Sequence, residues 1–139
     1  MAAITVGDVF NAAMGIMDEL STTGEPQTTD TKEYEYRTPA IINMMVGELA
    51  LLTGNSGDWL AVESLDDLVP NVSSSYARSA LPYGLAANLL VDENPSSASF
   101  FQQRYEEMRN LYVSRQPAEI SDITNLYGLS IEYGEFSRW

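Results

Sequence analysis

The sequence contains no cysteine and no histidine. Without thiols there is no disulfide, iron–sulfur cluster or thiolate zinc site. Without imidazole the usual general base and the commonest metal ligand are missing. A Ser-His-Asp or Cys-His centre cannot be assembled from this chain. Carboxylates and Lys32, its one lysine, remain for acid–base work, so an enzyme is not excluded, but a non-enzymatic role with no cofactor is expected. Long apolar runs are also missing. The longest candidate, "IINMMVGELALL" (Ile41 to Leu52), is too short to span a bilayer and carries Asn43 and Glu48. The start, "MAAITVGDVF", shows no basic region followed by an apolar stretch, so no secretory signal is expected and folding is placed in the cytoplasm.

Positive charge is scarce. The formal net charge over 139 residues is −13. Such a chain repels phosphate backbones, which argues against specific nucleic-acid binding. Solubility is the plain consequence; an acidic wall past which a polyanion slides is the sharper one. Residues 1–69 hold twelve acidic and two basic residues, and residues 70–139 hold eight and five. A basic contact surface must therefore come from Arg78, Arg104, Arg109, Arg115 and Arg138. Arginine suits stacked and bidentate contacts, which points to a protein partner.

What is present is helical periodicity. Val9, Phe10, Ala13, Ile16, Met17 and Leu20 form one stripe over Val6 to Leu20, capped by Thr5 with Asp8 near the positive end. "STTGEPQTTD" (residues 21–30) reads as an exposed loop. A second helix is expected from about Thr31 to Thr53, with a kink or fresh start near Thr38 because of Pro39. Its core stripe is Ile41, Ile42, Met45, Leu49 and Leu52; Met44, Val46 and Leu51 widen it until it is apolar nearly all round. Gly54 ends it. Asn55 to Pro70 is an irregular connector that Trp59 can anchor. A third helix, Ser75 to Asp92, should bend at Pro82, with Gly84, Ala86 and Ala87 allowing close approach of a neighbour. A fourth starts with Asn94 as cap and Pro95 in first position. It carries Phe101, Tyr105, Met108, Leu111 and Tyr112 on one side and the pairs Glu106–Arg109 and Gln102–Glu106 on the other.

None of the paired carboxylates converges, because adjacent helical residues point about 100° apart. "LDDLVP" lacks the alternating oxygens of a calcium loop and reads as a solvated turn. Met14, Met17, Met44, Met45 and Met108 at helical spacing read as core. Beyond Pro117 the helical pattern stops. "ITNLYGLSIEYGEFSRW" (residues 123–139) is rich in apolar residues, and "LSIEYGEF" alternates like a half-buried strand. It either packs back on its own domain, pairing near Val69 to Val72, or leaves as an arm for a partner. The expected architecture is mainly α: a small four-helix domain over 1–116 and an extended C-terminal arm, 117–139, containing a β-strand.

The passage "LPYGLAANLLVDENPSSASFFQQRYEEMRNLY" (Leu81 to Tyr112), followed by such a tail, resembles the C-terminal helical pair and extension of head–tail adaptor proteins of tailed bacteriophages, also called head completion or connector proteins. The likeness is firmest over 65–139. It implies a virion neck protein with no catalytic role. Subunits would form a dodecameric ring beneath the portal protein, the arm would reach the portal, and a stopper or tail-completion protein would dock on the other face. Double-stranded DNA would pass through the ring unbound, with no membrane involved. On this reading the portal-binding arm uses Tyr127, Leu129, Ile131, Tyr133, Phe136, Arg138 and Trp139. Met44, Leu51, Arg78, Arg104 and Arg109 are candidates for the ring interface, with the second and third helices supplying its apolar surface. Two other readings compete. A tail-terminator or other neck assembly protein would show more strand than helix. A small acidic DNA mimic would need ordered carboxylates on one surface, and the apolar tail does not serve that role.

Overall fold

The computed structural model describes residues 3–18, 24, 31–54 and 57–115. The expected arm, and the expected loop at 21–30 apart from Gly24, lie outside the described residues. What is described is mainly α, in five helices: α1 (Val6–Met17), α2 (Lys32–Thr53), α3 (Ser74–Ser79), α4 (Leu81–Leu90) and α5 (Pro95–Ser114).

Helix α1 begins as its sequence dictates. The Thr5 hydroxyl accepts from the Asp8 amide and the Asp8 carboxylate accepts from the Thr5 amide, both at 3.0 Å. This reciprocal box satisfies two amides that the helix start leaves open. The helix stops at Met17, short of the expected Leu20, because Asp18 adopts a left-handed backbone (φ 63°) and closes the last turn onto Gly15.

Helix α2 runs through Pro39 without a new start. Proline cannot donate to the carbonyl of Glu35, one turn back. The helix persists because its other face is bound into the core through Tyr34, Ile42, Met45, Val46 and Leu49. Leu52, expected in that stripe, is instead exposed, as are Leu51 and Met44. Gly54, with φ 74°, ends the helix as expected.

The expected third helix is two. Ala80 closes α3 and opens α4, and Pro82 sits in the first turn of α4, where its missing N–H costs least. Helix α4 packs against each of the other four helices. Leu81, Leu85 and Leu89 are fully buried in it and belong to the same core cluster as Phe10, Met14 and Ile42. The close approach expected at Gly84 is present: a Cβ there would meet the Met45 sulfur and lie 2.8 Å from the Tyr105 ring. Helix α5 starts with Asn94, whose side chain accepts from the Ser97 amide at 3.2 Å, and Pro95.

The connector is tied down at two places. Asn43 of α2 donates to the Val62 carbonyl and accepts from the Val62 amide, at 3.0 and 2.9 Å. Val62 is buried, and Trp59 packs partly buried against the core. Further on, Val6 and Gly7 donate to the carbonyls of Asp67 and Leu65, and Val69 donates to that of Ile4. The backbone of residues 4–5 thus already occupies Val69, where the expected tail strand had a possible partner.

Candidate interaction surfaces

Helix α2 buries one side and leaves another open. At 100° per residue, Tyr36, Met44 and Leu51 fall within about 80° of each other. They are 80%, 66% and 85% exposed. A small-residue position, Ala40, lies between them on the same face, with Glu33 one turn before. The result is an outward apolar strip about 22 Å long at 1.5 Å per residue.

Helix α5 carries a second, different strip. Phe100, Arg104 and Leu111 fall within about 40° of one another. Phe100 is 62% exposed and Leu111 50%. Arg104 pairs with Glu107 at 3.3 Å and lies 5.9 Å from the centroid of the Tyr83 ring. Tyr83 and Phe100 each stand against Phe101. Aromatic and arginine side chains grouped in this way are what protein interfaces favour.

Behind these strips a polar chain ties three helices together. Tyr76 of α3 donates to Tyr105 of α5 at 3.4 Å, and Tyr105 donates to Glu48 of α2 at 3.1 Å. Arg109 donates to the other oxygen of Glu48 at 3.1 Å and lies over the Tyr105 ring. Burial pushes the Tyr105 hydroxyl far up, and the hydrogen bond from Tyr76 and the nearby Glu48 carboxylate push the same way. Burial also raises Tyr76. Both hydroxyls therefore stay protonated and act as fixed donors. The Tyr112 ring packs against that of Tyr76, tilted by 45° with centroids 4.8 Å apart. This is scaffolding: it fixes α5 on α2.

Among the ring-interface residues expected from the sequence, Met44, Leu51, Arg78 and Arg104 lie on the surface. Arg109 does not offer itself in the same way. Its side chain is only 16% exposed and is engaged by Glu48, in place of the expected Glu106. The third helix does not supply an outward apolar face either, because its α4 part is buried nearly throughout. Tyr127, Leu129, Ile131, Tyr133, Phe136, Arg138 and Trp139 lie outside the described residues. The sequence reading missed Phe100 and Tyr36 and put Leu111 on the same apolar side as Tyr105, whereas Leu111 is half exposed and Tyr105 is buried. The signal was the spacing of Phe100, Arg104 and Leu111, a second stripe offset from the one through Ala98 and Tyr105. No group of carboxylates able to hold a metal is found among the described residues, and the Asp67 carboxylate accepts from the amides of Glu63 and Ser64. None of the described helices is long and apolar enough to cross a membrane.

No family model, curated protein or solved structure matches the chain.

Proposed function

We propose that the chain is a head–tail adaptor of a tailed bacteriophage, a non-catalytic virion protein that assembles as a ring beneath the portal and extends the DNA channel. The observation that carries this reading is the pair of unlike outward strips on α2 and α5. A closed ring needs two different patches per subunit that fit head to tail. The strip on α2 is apolar with Glu33 beside it; the one on α5 is apolar with Arg104 in it and Arg115 at its end. The α5 strip also holds Glu107, paired with Arg104, so the two patches differ in aromatic and ion-pair content, and copies can join α2 to α5 through unlike surfaces. Such a contact generates a ring when its rotation closes. The strongly acidic remainder suits a wall past which DNA slides.

In this assignment the tail reaches the portal by strand addition, with Tyr127, Leu129, Ile131, Tyr133 and Phe136 as apolar anchors and Arg138 and Trp139 at the end. The opposite face of the ring receives a stopper or tail-completion protein, and the complex sits in the virion neck. The test is capture of the portal protein by the full chain and by a chain ending at Gln116. Full-chain capture with loss in the shortened chain is expected. Equal capture by both removes the arm from the portal contact.

A further inference from the structure

Helices α4 and α5 flank an open surface groove of about 500 Å³. Its floor is apolar: Ala87 and Val91 from α4, Pro95 and Ala98 from α5. Its rim is polar and ends in a carboxylate, with Asn88 on one side and Gln102 and Glu106 on the other. A volume of this size, apolar below with a few polar groups above, suits one or two large side chains with a polar end.

Glu106 is the informative residue. Its carboxylate accepts from the Gln102 amide at 2.8 Å. The arginine one turn on, Arg109, is bound to Glu48 instead. Arg104 is bound to Glu107. Arg115 is at the far end of α5, and Arg78 lies across the molecule beside Asp8 and Ala12 of α1. Among the described residues, no cation is paired with the groove's carboxylate. Arg37 of α2 donates to the Asn88 carbonyl at 3.2 Å and is held at that backbone oxygen rather than at the carboxylate. The remaining arginine, Arg138, stands between Phe136 and Trp139 in "GEFSRW".

We propose that the chain's own C-terminal segment, residues 135–139, occupies this groove in the unassembled protein. Its aromatic side chains lie on Ala87, Val91, Pro95 and Ala98, and Arg138 pairs with Glu106. The chain is long enough. Arg115 lies about 20 Å along α5 from Gln102, at 1.5 Å per residue. Residues 116–134 span up to about 60 Å when extended, at roughly 3.3 Å each. The pairing matches charge as well as apolar surface. It holds whether or not the outside partner is a portal: the groove covers the aromatic end until a partner takes it.

The test uses the full chain labelled with 5-fluorotryptophan. It has two tryptophans, Trp59 and Trp139, and Trp59→Phe assigns their fluorine resonances. The expected result is a Trp139 resonance displaced from its position in the urea-unfolded chain, insensitive to protein concentration. Ser99→Phe, which fills the groove from an exposed position, and Glu106→Lys should each return it to the unfolded position. Arg138→Glu should do the same, and Glu106→Lys with Arg138→Glu should restore the displacement. A Trp139 resonance that already sits at the unfolded position, or that ignores all of these changes, overturns the proposal. So does a displacement that grows with concentration, since a second copy would then be the occupant. Portal capture does not enter this readout, so failure here and failure of the adaptor reading are separate results.

Discussion

At the scale of single residues, Asp67 shows how a charge expected to be merely solvated acquires a task. Amides of Glu63 and Ser64 donate to its carboxylate at 2.7 and 3.1 Å. These backbone hydrogen bonds hold its pKa below the usual carboxylate value. The folded state thus prefers the charged form. Its contribution to stability is fully present above the unfolded pKa of about 4 and is lost as pH falls through the lower folded value. Asp67→Asn should therefore lower the denaturation midpoint at neutral pH and flatten its fall below about pH 4. Urea unfolding of both proteins from pH 7 to pH 2 measures it; parallel curves would show that the turn does not prefer the charge. The Asp66-Asp67 turn itself was legible, because Asp and Ser favour turns that their side chains close. Which carboxylate would take the amides was not, since either neighbour fits a turn.

Among the elements, the two internal prolines read alike in sequence and behave differently. Pro82 falls where a short helix ends, so the chain breaks at Ala80 and the proline moves into a first turn. Pro39 falls inside a helix whose apolar side is buried for several turns beyond it, and the packing carries the helix across. Periodicity locates helices, but whether a proline breaks one depends on tertiary contacts on both sides of it. Pro39→Ala restores a donor to the Glu35 carbonyl and removes the ring from the preceding turn. It should stabilise the protein by about 1–3 kcal/mol, the usual cost of an interior proline. Thermal or urea unfolding checks this, and a lower midpoint would mean that the proline ring packs usefully. Caps were legible at Thr5, Asn94 and Gly54, because each depends only on local sequence.

For the molecule as a whole, the mainly helical class followed from the sequence, and the burial pattern only in part. The stripe on α2 was too wide to show which side faced inward. Its neighbours decided, leaving Met44, Leu51 and Leu52 outside. The Asn43 clamp on Val62 and the Tyr76–Tyr105–Glu48–Arg109 chain join residues far apart in sequence, so no local pattern announces them. Placing α4 at the centre also has a consequence for how the sequence can change. Every other helix leans on it, and its smallest residue lies against Met45 and Tyr105. In a library of all single substitutions selected for folded protein, α4 should be the segment of least tolerance. Gly84 should be its strictest position: even alanine must displace its neighbours, at a cost of about 1–3 kcal/mol. The outward positions of α2 and α5 should accept most replacements in that same selection. A second library selected for assembly would then separate the two demands. Sites that are free under the first and restricted under the second would trace the surfaces by which this chain meets its partners.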